Sequence, residues 1–146
     1  MNPKETERYL RNLLDRVWNQ GDLGAARELV RDNVVLNCPH CNRLVGARAY
    51  LEYVALVLGM YPDLHVDIHE LIVSEQRVAL RYTWSGAFAG GSTPFGPAPA
   101  GRRVTVQGVA LYHLLEDQIV AGWMSEDWLG MYQQLGVLPE HLVRAA

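Results

Sequence analysis

Apolar residues recur at helical spacing near the start of the chain. Tyr9, Leu10, Leu13, Leu14, Val17 and Trp18 form one stripe, the mark of a helix with a single buried face. Asn2 is placed to cap it, Pro3 suits its first turn, and Glu5 completes a capping box. Gly21 ends this helix and Asp22 caps the next, whose buried face is expected to hold Leu23, Ala26, Leu29 and Val30. Val34-Val35-Leu36 reads as a brief strand and Cys38-Pro39-His40-Cys41-Asn42 as a loop. A third helix is expected from about Ala47 to Leu58, closed by Gly59 and Pro62.

After Pro62 the period becomes two. Leu64, Val66 and Ile68 alternate with His65, Asp67 and His69. Arg77 to Phe88 predicts a second strand with Val78, Leu80, Tyr82 and Trp84 on one face. Ala89 to Arg103 collects Gly and Pro and reads as a long loop, a length that usually carries function. Val104 to Leu115 is a long strand, apolar on both faces, and its interior Gly108 signals a bulge or a close backbone approach. Glu116-Asp117 turns the chain into Gln118 to Ser125, and a last helical piece runs from Asp127 to Leu135. Helices first and antiparallel strands afterwards give an α+β class: helices packed on a strongly curved, mainly antiparallel sheet, a cone-shaped α+β barrel enclosing a pocket.

Composition narrows the function. The 146 residues suit one domain, 1–146, long enough to bury a core. A net charge of -3 argues against a nucleic-acid partner, which would call for a basic face. No apolar run approaches the length of a membrane span, and the polar start Met1-Asn2-Pro3-Lys4-Glu5 does not resemble a secretory signal, so a cytoplasmic protein is expected. Two cysteines make no disulfide framework.

The order of short motifs resembles the nuclear transport factor 2-like superfamily and, within it, the SnoaL-like polyketide cyclases. The resemblance rests on Trp18-Asn19-Gln20-Gly21-Asp22, Asp32, Gly46 and Pro62-Asp63-Leu64. Arg81-Tyr82-Thr83, Gly101-Arg102-Arg103-Val104, Gly108, Ile119, Trp123 and Asp127 continue it. It implies a cofactor-independent cyclase or isomerase, closing a ring of a polyketide-type natural product by an aldol step, with a pocket Asp as general acid/base. Asp127 matches that Asp, four residues after Trp123. Strand alternation would turn Ile119, Ala121, Trp123, Ser125 and Asp127 one way, and an apolar setting would raise the carboxyl pKa. The competing reading is that Asp127 only caps the final helix.

Trp18, Tyr53, Tyr82, Trp84, Tyr112 and Trp123, with Cys38, are the candidate substrate contacts, an aromatic wall suited to a flat, hydrophobic, polyketide-like ligand. Departures from the family carry weight. Ala87-Phe88 stands where many members have Thr-His, removing a second proton donor. That keeps a confinement-driven cycloaddition in view, and also a non-catalytic small-molecule binding module. The steroid isomerase branch would need acid groups where Leu14, Cys38 and Ala110 stand. Epoxide opening would use Arg81 and Asp127, but Thr83 occupies the position of the second Asp.

No cofactor or metal is expected. Cys38-Pro39-His40-Cys41 lacks the βαβ setting of a redox motif and a clear fourth zinc ligand. His65, Asp67 and His69 read as a solvated or partner-facing side. Val109 and Leu111 would be exposed in a monomer, so a homodimer through the sheet is expected.

Overall fold

The computed structural model describes residues 1–38 and 42–141. Helix α1 (Pro3–Trp18) starts at the capping box: the Asn2 side chain accepts from the Glu5 N–H, and the Glu5 carboxylate accepts from the Asn2 N–H, both at 2.9 Å. Its stripe buries Leu10, Leu13, Leu14 and Val17, each such side chain contributing about 1.5–3 kcal/mol of transfer free energy. Helix α2 (Leu23–Leu29) is capped by Asp22. Its buried face is Ala25, Ala26 and Leu29, whereas Leu23, expected inside, is exposed in its first turn.

Strands β1 (Val30–Cys38) and β2 (Asn42–Val45) form a hairpin, followed by α3 (Ala47–Met60). The brief strand expected around Val34 is the middle of a longer one. The chain then meanders through β3 (His65–Ser74) and β4 (Arg77–Ala87). The long loop carries a small hairpin of its own, β5 (Gly91–Thr93) and β6 (Gly96–Ala98), too short and too rich in Gly and Pro to show an alternating pattern. Strands β7 (Arg103–Leu115) and β8 (Gln118–Glu126) follow, joined at Glu116 and Asp117, both in the left-handed region at φ 50° and 63°. Helix α4 (Trp128–Gln134) closes the described fold.

The main sheet runs β2-β1-β8-β7-β4-β3, antiparallel throughout except where β1 lies parallel to β8. It is strongly curved, and β2 and β3 remain its edges, so the expected cone is a rolled sheet rather than a closed barrel. Its concave face carries Val78, Leu80, Tyr82 and Trp84 of β4 and Val104, Val106, Ala110 and Tyr112 of β7, all buried against the helices.

One irregularity sets the geometry of the site. Leu114 pairs with Ile119, but His113 pairs with Ala121, so Val120 is an extra residue in β8. A bulge of one residue reverses which side chains face the core. Beyond it, Gly122, Met124 and Glu126 turn inward, while Trp123 and Ser125 turn out.

Candidate active site

The site is built across three neighbouring strands. Gly108 of β7 pairs with Tyr82 on one side and with Glu126 on the other. Because Gly108 has no side chain, its two neighbours meet over its backbone. A Cβ there would lie 2.7 Å from Tyr82 Cζ and 2.8 Å from Glu126 Cγ, closer than packing allows. In the space so left, the Tyr82 hydroxyl donates to Glu126 Oε2 at 2.8 Å. One step along β4, Trp84 Nε1 donates to Glu126 Oε1 at 2.6 Å. Both oxygens of the carboxyl are thus fixed, each with capacity for a further partner.

Burial and hydrogen bonding act against each other here. Loss of hydration among aromatic rings pushes the Glu126 carboxyl above its ordinary range. The Trp84 and Tyr82 donors pull it down without cancelling that rise. Burial also raises the Tyr82 phenol, and the adjacent Glu126 adds to the effect. Tyr82 therefore keeps its proton and acts as donor to the carboxyl.

The carboxyl stands in the wall of a cavity with about 620 Å3 of empty space, its open mouth included. Helix α1 contributes Leu14 and Trp18, and α3 contributes Tyr50, Tyr53 and Val57. The sheet adds Val66, Ile68, Leu80, Tyr112 and Met124, and Trp128 of α4 completes the lining. Burial raises the phenols of Tyr50 and Tyr112, so both stay neutral. A second glycine shapes this wall: a Cβ on Gly122 would lie 2.6 Å from the Tyr112 ring.

Sequence-derived site residues divide into two groups. Trp18, Tyr53, Tyr82, Trp84 and Tyr112 line the cavity together. Asp127 does not: it is exposed, and its carboxylate caps α4 by accepting from the Gly130 N–H at 2.9 Å. Trp123 is also outside, 45% exposed and packed edge-on against His113 at 4.9 Å. Both expectations assumed unbroken alternation from Ile119, and the Val120 bulge reverses it. Cys38 is buried but not part of this lining; it borders a shallow outer groove with Asn42 and Trp123. Pro39, His40 and Cys41 lie outside the described residues.

The other polar candidates are on the convex side. His65 contacts Asp67 at 3.1 Å, His69 contacts Thr83 at 2.7 Å, and all of these except the half-buried Thr83 are exposed. Arg81 is bound to Glu70 at 3.0 Å, away from the cavity, so it cannot join an acid there for epoxide opening. Glu126, Tyr50, Met124 and Trp128 are lining residues that sequence reasoning missed. Gly108 was the available signal: a glycine inside an apolar strand between Tyr82 and a facing carboxylate.

The model of SnoaL-like polyketide cyclases matches residues 8–135. The chain belongs to the SnoaL-like polyketide cyclase family. Solved structures of similar shape agree with this fold. AclR, a candidate hydroxylase from Streptomyces galilaeus, superposes with a TM-score of 0.80 at 22% identity, covering 95% of this chain and 89% of that one. A candidate polyketide cyclase from Acidithiobacillus ferrooxidans gives 0.79 at 24% identity, covering 90% and 94%. IdmH, a candidate polyketide cyclase from Streptomyces antibioticus, gives 0.75 at 21% identity, covering 93% and 99%. At such identities the likeness establishes the cone fold shared with other SnoaL-like proteins. No curated protein sequence matches the chain.

Proposed function

We propose that this SnoaL-like protein is a cofactor-independent cyclase of a polyketide-type substrate, with Glu126 as its general acid/base. The observation that carries this reading is the Glu126 carboxyl held by Tyr82 and Trp84 in the wall of an aromatic cavity. In an aldol closure, the Glu126 carboxylate takes a proton from a carbon next to a carbonyl. The resulting enolate attacks a second carbonyl of the same molecule and forms the ring C–C bond. The new alkoxide then takes the proton back from Glu126, so the acid/base is regenerated. A carboxyl with raised pKa suits both transfers, because it is a stronger base than a solvated one and still a usable acid. The aromatic walls hold the folded substrate near its reacting geometry. Asp127 keeps a structural part in this reading, as the cap of α4.

A direct test uses methyl 3-oxobutanoate, whose C2 carries an acidic proton. Deuterium exchange at C2 is followed by NMR, over the rate in buffer alone. The wild-type protein is expected to accelerate exchange, Glu126→Gln to lose that acceleration, and Asp127→Asn to keep it. Acceleration that survives Glu126→Gln would overturn the acid/base assignment. Cyclisation that survives it would mean that the hollow works by shape alone, and saturable binding with no turnover would leave a binding module.

The convex face supports a homodimer. Ile72, Ala79, Leu111 and Trp123 are partners in register across β3, β4, β7 and β8, and all four are exposed. With Val109 beside them they form a band that a second copy of the sheet would cover. Sedimentation is expected to show a dimer in the wild type and a monomer in Leu111→Asp. A wild-type monomer would contradict this.

A further inference from the structure

A second hollow adjoins the one beside Glu126. It lies between α3, α4 and the β5–β6 hairpin, with about 790 Å3 of empty space, mouth included. Tyr53, Val57, Trp84 and Trp128 line both, at the junction of the two, and the two indole rings there stand 6.4 Å apart, centroid to centroid. Their chemistry differs. The first hollow holds a carboxyl with its donors. Among the described residues no charged side chain lines the second, whose surface includes Met60, Phe88, Met131 and Leu135. Burial pushes the Tyr61 phenol on its wall up to about 12, so it stays neutral. The Thr93 hydroxyl at its lip already donates to the Gly96 carbonyl at 2.6 Å. Phe95 packs edge-on against Tyr132 at 5.0 Å and ties the hairpin to α4.

We propose that this second hollow is a subsite for the apolar tail of the substrate. The substrate class is then a partly reduced polyketide: a carbonyl-bearing head beside Glu126, and a hydrocarbon tail that passes Trp84 and Trp128 to lie under the β5–β6 hairpin. The proposal rests on the reading of Glu126 given above for the position of the head. The methionines suit it, because their unbranched side chains adapt to tails of varied shape. The hairpin suits it as well. A tail in the second hollow would lie against Ser92, Thr93 and Pro94, so the hairpin is part of the binding surface.

The test is a series of methyl 3-oxoalkanoates, from 3-oxobutanoate to 3-oxodecanoate, titrated by calorimetry. Once the tail reaches the second hollow, affinity is expected to tighten by about three- to fourfold per added methylene, the factor for burying one CH2 group. Met60→Trp and Ser92→Trp fill the hollow from two sides, and each is expected to flatten this gradient. Ser92 is exposed on the hairpin and gives the decisive variant if Met60→Trp does not fold, which circular dichroism reports. A flat gradient in the wild type overturns the subsite, as does a gradient kept in the folded variants. C2 exchange separates this from the catalytic reading. A flat gradient with exchange that depends on Glu126 removes only the subsite. A steep gradient with exchange indifferent to Glu126→Gln keeps the subsite and removes only the acid/base.

Discussion

Glu126 and Asp127 are adjacent carboxylates at the end of β8, and they occupy opposite environments. Glu126 faces inward, meets an indole N–H and a phenol, and is pushed towards its protonated form by burial. Asp127 faces outward and accepts a backbone N–H at the start of α4, as N-cap aspartates do. Its own N–H donates to the Gln107 carbonyl at 3.0 Å, which fastens the end of β8 to β7. One residue along a strand separates a group suited to proton transfer from a group that only ends an element. The chemistry of the side chain is nearly the same in both. Position relative to a rolled sheet decides the difference.

Replacing the two carboxylates one at a time should separate their roles most clearly. Glu126→Gln keeps the shape of the side chain and removes its proton transfer, and a loss of about 10²- to 10⁴-fold in turnover is expected, read as C2 exchange or cyclisation. The next effect concerns the space that lets Glu126 and Tyr82 meet. Gly108→Ala puts a methyl group against both and is expected to cost about 1–3 kcal/mol in denaturant unfolding, with a fall in activity. Asp127→Ala should cost about 0.5–2 kcal/mol of stability through the lost cap, with turnover per folded molecule little changed.

Smaller effects come from protonation. The folded pKa of Glu126 is raised, so the native state binds its proton more tightly than the unfolded chain does. Its contribution to stability is therefore full below the ordinary carboxylate range and is lost as pH rises through the folded value. Urea midpoints against pH should show this fall in the wild type and lack it in Glu126→Gln. Tyr82→Phe removes a donor that lowers the Glu126 pKa, so the fall should move to higher pH in that variant.

Much of the fold was legible because single residues announce it. Asn2, Pro3 and Glu5 mark the first helix start, and the period-two pattern at Val78, Leu80, Tyr82 and Trp84 marks the inner face of β4. The family resemblance also rests on such local signals. The carboxyl in the cavity wall was not legible by the same logic. Alternation from Ile119 points to Trp123 and Asp127, and only the extra residue at Val120 turns Glu126 inward. A bulge of this kind depends on how β8 meets β7 and β1, and no residue type signals it. The short strands β2, β5 and β6 escaped for a related reason: three or four residues are too few to display a period.

In the proposed reading the acid of this cavity is Glu126, whose carboxyl pKa burial lifts above its ordinary range. The most direct measurement is a 13C NMR titration of the side-chain carboxyls, with Glu126→Gln used to assign the signal. The expected result is a Glu126 midpoint clearly above that of the exposed glutamates, shifted further up in Tyr82→Phe. A Glu126 midpoint at or below the exposed glutamates, unmoved by Tyr82→Phe, would contradict the account.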